Sequence, residues 1–339
     1  MISDKRVCIL YTGGTIGMVP TEFGYAPRKD YFSSLLNEIH QMKNPALPRW
    51  DVVEFDPLLD SSNIALEEWN AIGRAIESRY DDYDGFVVLH GTDTMAYTAS
   101  ALSFMLEGLN KPVVFTGAQI PLCELRSDGR DNLITSMVIA GGGKVCEVCI
   151  YFGGKLMRGN RATKVSSNGL RAFDSPNYPL LAQVGIDIRY NESALILPSR
   201  PKTFYLTELK SVPIGVLKIF PGFQFELFES MINSSLKAVV LEAFGSGNIP
   251  TNNRALVEGL RKSAAQGTVI TVTSQCQRGG TALGTYATSS DLVQSGAISA
   301  SDMTAEAAIA KLYYLFSCSY SNDRVKLLME TNLRGEMDE

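Results

Sequence analysis

Histidine is nearly missing from this chain: His40 and His90 are the two in 339 residues. That scarcity prunes the chemistry at once, because a serine or cysteine nucleophile served by a histidine base has few options left. His90 ends an apolar run and directly precedes a Gly-Thr-Asp turn, a place where a packed, hydrogen-bonded histidine is expected. His40 lies in a proline-flanked region and reads as a surface residue.

Long apolar runs are missing too. Nothing approaches the ~20 apolar residues that span a bilayer. The N-terminal apolar run stops at Gly13 with no small-residue cleavage site, so it does not read as a secretory signal. A cytoplasmic location is the expectation. Nor is there an excess of base. The chain sets 31 Lys and Arg against 36 Asp and Glu, a formal charge of −5, which speaks against nucleic acid or an anionic membrane as the main partner. The six cysteines, at 8, 123, 146, 149, 276 and 318, are scattered and form no disulfide framework. Cys146 and Cys149 make a CxxC without a second pair or a nearby histidine, so buried structural thiols are expected rather than a zinc site. No tandem repeat or low-complexity segment is present.

What is there is an ordinary globular composition, 45% apolar and 20% charged. The length exceeds the ~250–300 residues at which single cores stop growing, so two domains are expected. Apolar strand-like runs at 7–12, 52–55, 85–90, 113–116 and 148–152 alternate with helical segments, the pattern of a parallel α/β sheet. Leu66, Trp69, Ile72, Ile76 and Tyr80 repeat at three- and four-residue spacing, as do Met95, Ala99, Leu102, Met105 and Leu109. Residues 128–140 read as a third helix, closed by three glycines. From about 190 to 213 two prolines and mixed polarity break the rhythm, which reads as an interdomain connection. A shorter alternation follows: strands at 214–220, 238–241 and 269–273, and helices near 225–233, 253–265, 304–316 and 322–330.

Two of these apolar runs end in threonine-bearing turns, Thr12-Gly13-Gly14-Thr15 and His90-Gly91-Thr92-Asp93-Thr94. In open α/β sheets ligands bind at the carboxyl ends of strands. The first turn has neither the GxGxxG spacing nor a following Gly-Lys-Ser/Thr, so it is no nucleotide fingerprint. Its glycines let backbone approach a small ligand, and Thr15 is either a plain turn residue or a hydroxyl left free. The polar segment 17–30 that follows has the length of a lid, and Tyr25 within it is either a surface tyrosine or a partner for Thr15. Asp60, Ser61 and Ser62 precede a helix; they are good capping residues, and equally a cradle for an α-amino acid. Asp93 suits the first turn of a helix. Lys164 is a candidate base for a threonine hydroxyl, provided its surroundings favour the neutral amine.

Side by side, TGGTIG (12–17), GY (24–25), LLDSSN (58–63), YDGFVVLHGTDTMAYTASALSFML (83–106), KPVVFTGAQIP (111–121), LRSDGRDNL (125–133) and RGNRATK (158–164) resemble the asparaginase/glutaminase family, specifically its bacterial cytoplasmic type I L-asparaginases. The likeness continues through GNIP (247–250), QC (275–276), YAT (286–288), DMTAEAA (302–308) and NLRGE (332–336), so it covers essentially the whole chain. TGGTI followed by HGTDT at this spacing is a highly specific pair.

The resemblance implies a two-domain α/β fold. A larger N-terminal domain (1–195), with a Rossmann-like, mostly parallel sheet flanked by helices, would be joined by a linker (196–212) to a smaller C-terminal α/β domain (213–339). It implies hydrolysis of L-asparagine to L-aspartate and ammonia through a threonyl ester, without metal or organic cofactor, by a homotetramer built from dimers. Thr15 would be the nucleophile and Tyr25 would close over it. Thr92, Asp93 and Lys164 would activate the nucleophile or the water. Asp60, Ser61 and Ser62 would clamp the substrate's amino and carboxylate groups, with Asp93 also near the amino group. Thr163, Asn248 and Cys276 match positions of a regulatory asparagine site, but Glu242 stands where the family's effector-binding arginine is expected. Weak or absent asparagine allostery follows. Two rivals are the amidase subunit of a tRNA-dependent amidotransferase and a catalytically silent amino-acid-binding protein. Preference between asparagine and glutamine is not legible, since one methylene is worth only ~1–3 kcal/mol in a pocket.

Overall fold

The structure is a computed structural model that describes residues 2–28, 30–196, 203–227, 236–285 and 287–338. These form two compact units, one ending at Leu206 and the other beginning at Thr207. No helix among the described residues is long and apolar enough to cross a membrane.

The first unit opens with β1 (Arg6–Gly13), a hairpin of β2 (Met18–Thr21) and β3 (Gly24–Pro27), α1 (Phe32–Glu38), β4 (Arg49–Leu59), α2 (Leu66–Glu77), β5 (Gly85–Leu89) and α3 (Met95–Met105). Then come β6 (Leu106–Glu107), β7 (Val113–Thr116), α4 (Gly129–Gly142), β8 (Val148–Phe152) and β9 (Lys155–Arg158). Short strands β10 (Thr163–Lys164), β11 (Phe173–Asp174), β12 (Ala182–Val184), β13 (Ile188–Tyr190) and β14 (Tyr205–Leu206) complete it. Eight strands share one sheet in the order β13-β12-β9-β8-β7-β5-β1-β4. Pairing is parallel from β8 through β4 and antiparallel from β8 out to β13.

Local sequence accounts for the parallel part. After Arg6, every residue of β1 is buried, and all five of β5 and β8 are as well. Strands covered by helices on both faces need continuous apolar runs rather than alternation. β4 lies at the edge and is correspondingly half exposed. Val7, Ile9, Val87, Val114, Leu133, Met137 and Cys149 are among the residues of the core. The antiparallel extension has no clear signal in the sequence. Its strands are three or four residues long and partly exposed, so they carry no run to read.

The second unit carries a parallel sheet in the order β15 (Ile214–Lys218), β16 (Ala238–Ala243), β17 (Val269–Ser274), β18 (Ile298–Ser299). Helices α5 (Arg254–Ala265), α6 (Ala287–Gln294), α7 (Ala305–Ser317) and α8 (Asn322–Met329) accompany it. Asn253 starts α5 by accepting the Leu256 N–H at 3.0 Å. Of the helix expected near 225–233, Phe225–Leu227 form a short 3-10 turn, and 228–233 lie outside the described residues. Of the expected connection, 197–202 likewise lie outside them, while Tyr205–Leu206 pair with Leu106–Glu107 in the first unit.

An unexpected feature of the second unit is a wholly buried ion pair, Lys311 Nζ to Glu336 Oε1 at 2.5 Å. It persists because both ions have further partners. Lys311 also donates to the carbonyls of Met329 and Thr331, and Glu336 accepts the N–H groups of Leu333 and Arg334. These contacts fold the C-terminal NLRGE segment onto α7.

Candidate active site

Glycine brings the two threonine turns together. Gly13 and Gly14 have φ of +130° and +82°, conformations that side chains rarely adopt. Space forbids a side chain as well. A Cβ on Gly13 would lie 2.2 Å from the Leu59 carbonyl oxygen, one on Gly14 2.5 Å from the Gly91 nitrogen, and one on Gly91 2.3 Å from Ser61 Oγ. The carboxyl ends of β1, β4 and β5 therefore meet backbone to backbone. Thr15, Ser61 and Thr92 are carried to one place by that packing.

They line a polar pocket of about 280 Å³, together with Asp60, Asp93 and Lys164. Lys164 reaches it from β10, which is held by its antiparallel partner β11. Its ammonium donates to Thr92 Oγ1 at 2.9 Å and to Asp93 Oδ1 at 2.7 Å. Thr92 is 7% exposed, so its hydroxyl works largely out of bulk water. With Lys164 as donor, the Thr92 proton points to Gln119 Oε1 at 3.3 Å, and the Gln119 amide donates in turn to the Gly169 carbonyl. A chain of donors thus runs Lys164, Thr92, Gln119.

Gln119 and Ser167 also line the pocket, and the sequence reading does not single them out. Gln119 stands in the TGAQ segment after β7, but an uncharged amide gives no chemical signal. Its place is set by Asp128, whose carboxylate accepts the N–H groups of Gln119 at 3.1 Å and Ile120 at 2.9 Å.

His90 is close in sequence yet chemically occupied. Nδ1 is 2.7 Å from the Gly91 carbonyl, which can only accept, so the proton sits on Nδ1. Nε2 then accepts from the Thr98 hydroxyl at 2.9 Å. Complete burial holds the imidazole neutral and pushes its pKa down to about 4. The expectation of a packed, satisfied histidine holds.

Asp60 accepts the Ser62 N–H at 3.0 Å, which is the capping role. Its exposed position at the pocket rim leaves room for the second role as well. Ser61 is buried, and its carbonyl is held by the Thr94 hydroxyl at 2.7 Å. Ser62 is exposed and does not line the pocket. Tyr25 does not line it either. It sits half exposed on β3, with its hydroxyl donating to Glu124 Oε1 at 2.7 Å, a bond to a carboxylate that raises the phenol's pKa.

The residues matched to a regulatory site are placed as follows. Thr163 precedes Lys164 on β10 and pairs with Asp174. In the second unit, Glu242 lies near the end of its strand opposite Lys218, with Oε2 3.4 Å from the ammonium. Asn248 closes a turn by exchanging two backbone hydrogen bonds with Phe244. Cys276 is exposed, with its N–H on Ser274 Oγ at 3.0 Å. These last three cluster where β16 and β17 end.

A threonine hydroxyl beside strand-end amides, with a lysine and carboxylates in place of histidine, suits attack on an amide carbonyl of a small polar molecule. The whole chain has relatives among known proteins. Residues 6–195 match the family model Asparaginase, N-terminal, and residues 213–329 match the Glutaminase/Asparaginase C-terminal domain. The chain is 42% identical to L-asparaginase 1 of Escherichia coli, with 99% of each chain covered. It is 41% identical to the 60 kDa lysophospholipase of Mus musculus over 98% of its own length and 63% of that protein's. L-asparaginase I from Vibrio cholerae, a solved structure 41% identical, superposes with a TM-score of 0.91 over 99% of each chain.

Proposed function

The chain belongs to the asparaginase family, and on that premise we propose that it hydrolyses the side-chain amide of free L-asparagine to L-aspartate and ammonia. Thr15 Oγ1 attacks the amide carbonyl carbon. When the hairpin carrying Tyr25 closes, the phenol takes the Thr15 proton as it gives up its own, and the departing nitrogen receives the proton so released. The tetrahedral oxyanion is held by backbone N–H groups of the two glycine turns. Collapse breaks the carbon–nitrogen bond, and the departing nitrogen, with that proton, leaves as ammonia. Water then attacks the threonyl ester, releasing aspartate and restoring the hydroxyl.

Lys164, Thr92 and Asp93 form the proton-handling group in this scheme. The observation that carries the reading is the pair of hydrogen bonds from Lys164 to Thr92 and Asp93, in the pocket that Thr15 also lines. Asp60 and Asp93 take the substrate ammonium, and Ser61 takes its α-carboxylate, with Ser62 joining from the short 3-10 turn Ser61–Asn63 beside the pocket. Orientation of this kind is worth up to ~7–11 kcal/mol of barrier. The pocket volume supports a small amino acid. Met18 is the one large apolar side chain among the described lining residues, so an acyl chain finds no wall there. A cytoplasmic location and a homotetramer belong to the same proposal.

Ammonia release from asparagine by the pure protein tests it, with Thr15→Ala as control. Release is expected from the wild type and not from the variant. Release that survives Thr15→Ala removes the nucleophile. Absence of release without a partner favours an amidotransferase subunit or a binding protein instead.

A further inference from the structure

Glu124 takes no part in the reaction above, yet it holds the side chain whose closure onto Thr15 that reaction invokes. Tyr25 donates its single phenolic proton to Glu124 Oε1 at 2.7 Å and stays outside a pocket that Thr15 and Met18 line. The hairpin that carries it is slight. Each strand has four residues, Phe23 at the turn is 98% exposed, and a Cβ on Gly24 would meet nothing within 4 Å. Segments with so few contacts open at small cost.

The anchor is of the opposite kind. Glu124 lies in a loop stapled on both sides. Leu122 N–H donates to the Ile16 carbonyl at 3.0 Å, Glu124 N–H to Pro121 at 3.0 Å, and Ser127 N–H to Glu124 at 3.3 Å. Ser127 Oγ donates to the Ile120 carbonyl at 2.8 Å, and Asp128 pins Gln119 and Ile120. Cys123 Sγ donates to the Met18 carbonyl at 3.4 Å, which ties the foot of the hairpin to the same loop. A tyrosine on a lightly held hairpin is therefore bonded to a carboxylate whose backbone is pinned.

We propose that Glu124 is a positioning residue for the hydrolysis: its carboxylate latches Tyr25 outside the pocket, and closure onto Thr15 requires that hydrogen bond to break. This rests on the assignment of Tyr25 to Thr15 made above. Because only the closed fraction binds substrate productively, the latch raises the apparent KM in proportion. Releasing a charge-assisted but half-exposed hydrogen bond lowers KM by about three- to tenfold, and leaves kcat within about twofold.

Steady-state kinetics with asparagine on Glu124→Ala, Glu124→Gln, Tyr25→Phe and the Glu124→Ala/Tyr25→Phe double variant, with melting midpoints alongside, make the test. The expected result is a lowered KM in Glu124→Ala and an intermediate one in Glu124→Gln, whose amide oxygen still accepts a hydrogen bond. In the Tyr25→Phe background, Glu124→Ala is expected to leave KM where it was. An unchanged or raised KM in Glu124→Ala, with Tyr25→Phe impaired, overturns the latch alone. A joint fall of kcat and kcat/KM in both Glu124 variants also overturns it, since the carboxylate then serves the reaction as a proton acceptor. Wild-type kinetics in Tyr25→Phe would instead remove the assignment of Tyr25 to Thr15, and the latch with it.

Discussion

Gly14→Ala tests whether the site depends on backbone contact between the two threonine turns. Gly14 has φ +82° and ψ 173°, a region open essentially to glycine alone, so the substitution costs about 1–3 kcal/mol of backbone strain. The new methyl would also lie 2.5 Å from the Gly91 nitrogen and 2.6 Å from Gly91 Cα, both backbone atoms that cannot swing aside. Ordinary contact begins near 3.4 Å, so the turns must part by about 0.9 Å. Thr15 sits on one of them and Thr92 on the other. A misplacement of about 1 Å in a catalytic constellation costs on the order of 10²-fold in rate, which is the expected fall in kcat/KM for asparagine. Gly143→Ala is the control. That residue caps α4 with φ +64° and ψ 12° and nothing within 4 Å of its Cβ, so it carries the milder strain of a left-handed residue without the displacement. Ammonia release and thermal melting are measured on both. Gly14→Ala retaining kcat/KM within about threefold of wild type, while melting like Gly143→Ala, would refute a geometry set by this contact.

Lys164→Met removes the donor to both Thr92 and Asp93; kcat is expected to fall by about 10²–10⁴ with folding retained, and rapid-quench assays showing a normal rate would remove Lys164 from the proton-handling group. His90 has a folded-state pKa near 4 against 6.5 for the exposed ring, so the unfolded chain binds the extra proton between those values. Stability then falls as pH drops through that window, by about 3 kcal/mol at pH 4. NMR titration is expected to show one histidine still neutral at pH 5, and two ordinary midpoints would contradict the burial. Lys311→Met strands a carboxylate with no exposed surface, at an expected cost of about 3–5 kcal/mol in urea unfolding, partly recovered in Lys311→Met/Glu336→Leu; an unchanged midpoint in the single variant would show that the pair is not buried. Glu242, paired with Lys218, is expected to leave the rate hyperbolic in asparagine, whereas Glu242→Arg introduces sigmoidicity; a sigmoidal wild-type curve sinks that reading.

What the sequence reveals and what it hides follow one physical line. Continuous apolar runs and helical periodicity are local properties, so β1, β5, β7, β8, α2 and α4 are all legible in the chain of residues itself. The β2–β3 hairpin and the strands β9, β12 and β13 are not, because they are short and partly exposed and owe their existence to neighbours. The same distinction runs through the site. Chemistry or resemblance marks Thr15, Asp60, Ser61, Thr92, Asp93 and Lys164, and the fold brings them to one pocket. Gln119 needs the long-range grip of Asp128 to acquire a role, and no spacing in the chain announces that. Tyr25 and Ser62 are marked too, yet both stand outside the pocket, because a motif records that a residue matters without recording in which conformation.

The scarcity of histidine closes off an alternative rather than merely narrowing it. His90 is next but one to Thr92, near enough to tempt assignment as its base. Both ring nitrogens are occupied, one donating to Gly91 and the other accepting from Thr98, and Thr98 is itself held by the Trp69 indole N–H at 3.0 Å. To serve Thr92 the ring would have to abandon two buried hydrogen bonds, each leaving an unsatisfied group that costs about 1–3 kcal/mol. Its neutral form is also a poor proton acceptor, since burial has taken its pKa down to about 4. His40, exposed beyond α1, lines a different cavity. Among the described residues lining the pocket, the ionisable side chains are then Asp60, Asp93 and Lys164. Two of them are negative and suit the substrate's ammonium. Of the three, Lys164 is the one bonded to the Thr92 oxygen, at 2.9 Å, with its second hydrogen bond on Asp93 at 2.7 Å.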